Sequence, residues 1–206
     1  MKRIDKFIFG IIFGSSFPVF FFLISVLIWF SFSRDEKIVL YFVSAGILIG
    51  LLTDILILKK LITNRFNLPG WVLIAFYLFF NIGMYGMFMG FPVFNLIWGA
   101  VAGYYFGKKI IYNRIPLNEQ APISNRVALF TGIIMLLICI SSGMIALIDK
   151  YTGKSLQGML RLQYEVSKTG IMGIILIGGL ALIIAQYYLT KTVLLKTIRL
   201  NERNNR

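Results

Sequence analysis

Charged residues are almost absent from six long segments of this chain. Together the segments contain one acidic residue, Asp54, and no basic residue. A helix needs about 20 mostly apolar residues to cross the hydrocarbon core of a bilayer, which is about 30 Å thick. The sequence therefore predicts an all-α integral membrane protein, a bundle of six transmembrane helices over residues of about 7–32, 38–58, 71–89, 91–107, 127–148 and 170–190.

The composition agrees with lipid as the main solvent of the chain. Hydrophobic residues make up 58% of the sequence and charged residues 14%, whereas soluble domains carry about 25% charged residues. Transmembrane β-barrels are built from segments of about 10 residues with alternating hydrophobicity, which are shorter than the segments seen here. The whole chain is predicted to form one transmembrane domain over residues 1–206.

The basic residues alternate between the two sides of the predicted bundle. Fifteen of the 21 Lys and Arg residues fall in the two tails and the second and fourth connections, and six fall in the other connections. Because cytoplasmic segments carry the excess of Lys and Arg, both termini are predicted to be cytoplasmic. Residues 191–206 form a basic tail that would meet anionic lipid, and the abundance of Ile, Phe, Lys and Asn favours a bacterial inner (plasma) membrane.

The third and fourth segments form one charge-free stretch over residues 70–107. At 1.5 Å per residue a single helix of this length would measure about 57 Å, which is too long for one crossing. Gly90-Phe91-Pro92 is the expected turn because Gly and Pro interrupt helices. Two full spans are favoured, and a re-entrant hairpin is the alternative because it also returns the chain to the same side.

Two segments outside the predicted spans also carry apolar residues. In residues 149–169 they suggest a short interfacial helix and are Leu156, Met159, Leu160 and Leu162. In the C-terminal tail, Val193, Leu194 and Ile198 lie among basic residues. The sixth helix therefore either continues as an amphipathic end on an anionic leaflet or ends in a charged tail.

Small residues recur every four positions in three of the predicted helices. Residues four apart share one helix face, and small residues let transmembrane helices approach closely. These faces are therefore predicted to be buried between helices, and the residues are Gly10 and Gly14, Gly46 and Gly50, and Gly99, Gly103 and Gly107.

Asp54 is the only acidic residue within a predicted span. It follows Gly46 and Gly50 at the same spacing, so it is expected to point toward protein rather than lipid. An intramembrane carboxylate is either a structural partner at the inner rim or a contact for a proton or cation at an inner gate. Both interpretations stay open at this point.

Neutral polar residues from four predicted helices fall at a similar depth in the outer half of the membrane. They could line one cavity for a small neutral or amphipathic solute, and the alternative is a set of separate interhelical hydrogen bonds. The candidate ligand-cavity residues are Ser44, Asn81, Tyr85, Asn95, Ser141 and Ser142.

The sequence contains no recognisable catalytic set. It has no histidine and one cysteine, Cys139, so His-dependent bases, thiol–metal clusters and intramolecular disulfides are excluded. We predict a non-enzymatic protein with no cofactor and no metal site. The net charge of +13 flanks hydrophobic segments rather than a globular domain, so nucleic acid is not expected as a partner.

An intramembrane enzyme would need catalytic groups from the connections, where Glu119, Asp149 and Glu165 are scattered over both faces. Two other functions are therefore favoured. The first is small-solute transport or substrate binding as a transporter component, and it depends on the outer polar cluster. The alternative is a non-catalytic membrane interaction or assembly subunit, which would present a glycine face to a partner subunit or a second copy. The layout of six helices in 206 residues is similar to that of the substrate-capturing subunits of energy-coupling-factor importers. This similarity of layout favours the first function and assigns no residues.

Overall fold

A computed structural model of the chain describes residues 10, 13–32, 36–88 and 90–203. Every regular element in these residues is helical. Residues 7–9, 11 and 12 of the predicted first span, residue 89 of the third and residues 204–206 of the tail lie outside the described part. In chain order the α-helices are α1 Ser16–Phe32, α2 Glu36–Asn64, α3 Gly70–Met87, α4 Leu96–Tyr112, α5 Leu117–Ile148, α6 Thr152–Leu160 and α7 Lys168–Arg203.

Four of the described helices are long and apolar enough to cross a membrane. They cover Lys37–Asn64, Gly70–Met87, Leu117–Ile148 and Lys168–Asn201, and Ser16–Phe32 is a shorter apolar helix. Large hydrophobic side chains are exposed on them, including Leu56 at 80% and Ile148 at 77%. Such surfaces suit lipid rather than water, so the predicted class, an all-helical protein compatible with a membrane, is confirmed.

The charge-free stretch of residues 70–107 is interrupted where the sequence predicts a turn. A 3₁₀ turn over Pro92–Asn95 separates α3 from α4. Gly90 has a φ of +80°, a left-handed conformation that favours glycine, and its N–H donates to the Tyr85 carbonyl at 2.8 Å. Pro92 has no N–H to continue a helix, so the two residues together produce the break.

The chain divides between Leu73 and Ile74 into two compact units. In the first unit, α1 packs against the glycine face of α2. A Cβ added at Gly50 would lie 2.5 Å from Pro18 Cα, and one added at Gly46 would lie 2.6 Å from the Phe21 carbonyl oxygen. A larger residue at either position would push the two backbones apart, which is the close approach that small residues permit in membranes.

The glycines predicted to pack on the first helix differ from each other. A Cβ at Gly14 would lie 3.2 Å from Asp54 Oδ2, so this position is close to α2. A Cβ at Gly10 would meet no heavy atom of the described residues within 4 Å. Within the described part of the chain, only Gly14 of this pair therefore has a packing contact.

In the second unit, α4 runs parallel to α7 along its glycine face. Gly99 lies opposite the Gln186 side chain, and Gly103 and Gly107 follow at the levels of Thr190 and Thr197. A Cβ at Gly103 would lie 2.5 Å from the Thr190 carbonyl oxygen. The predicted stripe on α4 is therefore a helix–helix interface within this unit.

The helix α5 runs antiparallel to α7. Its Thr131 side chain hydrogen-bonds with Thr190 at 2.9 Å, and further along, a Cβ at Gly143 would lie 2.8 Å from Ile175 Cγ2. At 32 and 36 residues, α5 and α7 are about 48 Å and 54 Å long. Both therefore exceed the thickness of a bilayer core, which is about 30 Å.

One end of this unit, the basic end, carries Lys108, Lys109, Lys196 and Arg199. At this end, α4, α5 and α7 form an apolar core. Ile110 of α4, Val127 of α5, and Leu194 and Ile198 of α7 are buried together there. Residues 108–126, which connect the predicted fourth and fifth spans, are largely helical, and α7 continues through the predicted tail to Arg203. Leu194 and Ile198 therefore contact other helices of the unit, not an anionic leaflet.

We expect Gly103→Leu to destabilise the protein and Gly86→Leu to leave it nearly unchanged. The first adds a side chain 2.5 Å from a backbone oxygen of α7. Among the described residues, a Cβ at Gly86 would meet no heavy atom within 4 Å beyond its own chain neighbours and helix backbone. Overpacking typically costs about 1–3 kcal/mol. The midpoint of thermal unfolding in detergent, followed by size-exclusion chromatography, measures the difference. Equal midpoints for the two variants would contradict a tight α4–α7 interface.

Candidate functional site

The second unit contains a cavity of about 620 Å³ between the C-terminal half of α5, the short helix α6 and the first half of α7. Tyr85 of α3 and the turn at Gly90–Val93 complete its wall. The cavity lies before the level at which the glycine face of α4 packs on α7, because Gly99, the first glycine of that face, lies opposite Gln186. The first half of α7 is instead bordered by α5, α6 and the turn at Gly90–Val93.

The turn after α3 is fixed to α5 by a side chain from the predicted cluster. Ser142 Oγ donates to the Gly90 carbonyl at 2.7 Å. The Tyr85 hydroxyl approaches the same glycine, 3.3 Å from where its Cβ would lie. Both Tyr85 and Ser142 line the cavity, so the structure brings these two candidates together.

The polarity of the lining changes along the cavity. One end carries Asp149, Thr152 and Ser155, where α5 gives way to α6. The Asp149 carboxylate accepts hydrogen bonds from the Tyr151 N–H at 3.2 Å and from Thr152 Oγ1 at 2.9 Å. The other end is lined by small and apolar residues down to Ala185, and the lining includes no Lys or Arg.

Asn81 and Asn95 bond to each other and do not line the cavity. They are 1% and 0% exposed. Asn95 Nδ2 donates to the Asn81 carbonyl at 2.8 Å and to Asn81 Oδ1 at 3.1 Å, while Asn81 Nδ2 donates to the Tyr77 carbonyl at 2.8 Å. This pair joins α3 to the 3₁₀ turn beside the cavity.

Ser44 and Ser141 are both exposed on their helices. Ser141 Oγ donates to the Leu137 carbonyl of its own helix at 2.9 Å. Because an α-helix has 3.6 residues per turn, the adjacent Ser141 and Ser142 lie on different faces of α5. Ser44 belongs to the first unit. Neither residue lines the cavity.

A second buried polar group lies at the level where α4 meets α7, and the sequence analysis missed it. Gln186 is fully buried, and its Nε2 donates to the Tyr77 hydroxyl at 3.1 Å. Thr131 and Thr190, also fully buried, hydrogen-bond one turn further along α7. The sequence could have indicated that Gln186 has a polar partner, because an amide within an apolar segment needs hydrogen bonds, as Asn81 does. It could not have indicated the Thr131–Thr190 pair, because threonine hydroxyls can also bond within their own helix.

Asp54 lies on α2 beside Gly14, on the face that carries Gly46 and Gly50. Its Oδ1 is buried and accepts no hydrogen bond from the described residues. Asp54 thus points into the α1–α2 contact, as its spacing suggests. A role in proton or cation contact stays a prediction. Among the described residues, no group of three or more His, Cys, Asp or Glu side chains could hold a metal ion.

No protein family, curated protein or solved structure matches this chain.

We expect the hydroxyl pair between α5 and α7 to contribute measurably to stability. Thr131→Val and Thr190→Val each remove one hydroxyl from a fully buried pair while keeping the branched shape. Interhelical hydrogen bonds in membranes contribute about 0.6 kcal/mol on average. A double-mutant cycle on unfolding in mixed micelles should give a coupling of that order. A coupling of zero would mean that the two hydroxyls do not interact.

Proposed function

We propose that this chain is a multi-pass protein of a bacterial inner membrane that binds a small solute in the cavity of its second unit, as a transporter or as the substrate-binding component of one. In this proposal it has six spans, both termini are cytoplasmic, and the cavity opens toward the outside. It carries out no catalysis and uses no cofactor.

The directions of the helices support six spans. By the positive-inside rule the third and fifth spans run outward and the fourth and sixth run inward. Within the second unit, α4 and α7 are parallel and α5 is antiparallel to them, as that order requires. α1 has 17 residues, which is about the lower limit for a span. α4 also has 17 residues but ends in a segment with Lys108 and Lys109. The proposal therefore counts the uncharged residues 92–107, which are the 3₁₀ turn and the first part of α4, as the fourth span.

The course of α4 favours a full span over a re-entrant hairpin. From Gly99 to Gly107 it stays beside α7, passing from the level of Gln186 to that of Thr197. A re-entrant segment would turn back within the membrane. Here the helix instead reaches the end of the unit that carries Lys108 and Lys109, together with exposed Lys196 and Arg199. That basic end suits the cytoplasmic side and its anionic lipids.

The observation that carries the proposed function is the cavity itself. Its volume, about 620 Å³, lies within the range of about 300–1,000 Å³ that is typical of ligand sites. Its lining combines apolar walls with a few polar groups, as such sites do. Tyr85 and Ser142 supply hydroxyl groups beside Gly90, and Asp149 supplies a carboxylate where α5 gives way to α6.

The alternative, an interaction or assembly subunit, has less support. It requires a glycine face that is left for a partner helix. The faces predicted for packing on α2 and α4 are instead occupied by α1 and α7 of the same chain. A partner subunit or a second copy would have to bind elsewhere.

Cysteine labelling tests the proposal with two neighbouring residues. In a Cys139→Ser background, Ser142→Cys should react with a membrane-impermeant methanethiosulfonate added outside intact cells, because a thiolate forms where water reaches it. Ser141→Cys, on another face of the same helix turn, should react at least tenfold more slowly because lipid surrounds it. Both variants should react fully after denaturation in detergent.

Three results would overturn the proposal. Labelling of Ser142→Cys only in inside-out vesicles would reverse the orientation of the cavity. Equal rates for the two cysteines would mean that no water-filled cavity distinguishes them. The absence of any outside labelling at position 142 would remove the accessible site on which solute binding depends.

A further inference from the structure

The cavity forms a channel along the first half of α7. Its lining on this helix extends from Ile171 to Ala185, which spans about 21 Å. The channel is therefore long enough for an extended hydrocarbon chain that lies along the helix.

Small residues on α7 create this space, and they are not all used for packing. Gly178, Gly179, Ala181 and Ala185 line the cavity. Within the described part of the chain, a Cβ at Gly178 would meet no heavy atom within 4 Å beyond its own chain neighbours and helix backbone, in contrast to the tight contacts at Gly99 and the rest of the α4 stripe. The absence of a side chain at Gly178 therefore leaves room for a ligand.

The two ends of the channel differ in polarity. Asp149, Thr152 and Ser155 lie at the end where α6 begins, and Leu182 and Ala185 lie at the other. Among the described residues that line the channel, Asp149 is the only Asp, Glu, Lys or Arg. Its charge repels an anionic group and attracts a cationic one.

We propose that the cavity binds a single-chain amphiphile, with its hydrocarbon tail along α7 toward Ala185 and an uncharged or cationic head group beside Asp149. This inference rests on the proposed function and names its ligand class. The length of the channel, its polarity gradient and the Asp149 carboxylate carry it. A two-chain bilayer phospholipid is the competing occupant, and the Asp149 carboxylate disfavours its anionic phosphate.

The native Cys139 provides the measurement, because it lines the cavity and is the sole cysteine of the chain. The full chain is placed in phosphatidylcholine nanodiscs, and the rate of Cys139 modification by methyl methanethiosulfonate is recorded. Butyl-, octyl- and dodecyltrimethylammonium are then added below their aggregation concentrations. Dodecanoate serves as the probe with an equal chain and an anionic head.

Dodecyltrimethylammonium should slow the modification at least fivefold, octyltrimethylammonium less, and butyltrimethylammonium not measurably. Dodecanoate should require at least a fivefold higher concentration for the same protection, and Asp149→Asn should reduce that difference. Gly178→Leu fills the channel without a clash and should abolish the protection. Gly173→Leu is the matched control, because its Cβ position is also open but does not line the cavity.

Equal protection by the butyl and dodecyl probes, stronger protection by dodecanoate, or unchanged protection in Gly178→Leu would each overturn the inference. Cys139 already protected in nanodiscs, and released when detergent replaces the phospholipid, would assign the channel to bilayer lipid and also overturn it. These failures are separate from failure of the proposed function. If Ser142→Cys is labelled from outside while the amphiphiles have no effect, the solute site stands and only its ligand class is wrong.

Discussion

The close parallel contact between α4 and α7 determines the arrangement of the second unit. Lipid provides little hydrophobic drive between helices, so association depends on packing and on interhelical hydrogen bonds. Glycines on α4 allow the α7 backbone to approach until a Cβ at Gly103 would lie 2.5 Å from a carbonyl oxygen. At this separation the Gln186 amide is enclosed over Gly99 and hydrogen-bonds with Tyr77 of α3. The glycine contact thus also positions the polar group that ties a third helix to the pair.

Some glycines of this unit allow two helices to pack closely, and others leave open space. Which of the two occurs depends on whether another helix lies opposite the glycine. On α4 every glycine of the stripe contacts α7, so its missing side chain is replaced by another helix. On α7, Gly178 has open space where its side chain would be. Both helices show small residues at helical spacing. Only the position of the neighbouring helix separates a packing face from a cavity wall.

This difference explains how far the sequence could predict the structure. The helical class, the break at Gly90–Pro92 and the packing faces on α2 and α4 follow from hydropathy, Gly and Pro chemistry and a four-residue repeat, all of which are local. The cavity depends on which helices meet. Adjacent Ser141 and Ser142 have the same chemistry, yet Ser141 bonds to its own helix and Ser142 bonds to the turn after α3. No local pattern distinguishes them.

The cavity and the tight core are consequences of one mismatch in helix length. α4 has 17 residues and α7 has 36, so a parallel pair can be in contact along only part of α7. Because the 3₁₀ turn delays the start of α4, the contact begins at Gln186 and continues into the basic end, where Ile110 meets Leu194 and Ile198. The first half of α7 is left without α4, and α6 and the turn surround that space without filling it. A longer α4 would close the cavity, so the turn that interrupts the charge-free stretch is also what leaves room for a ligand.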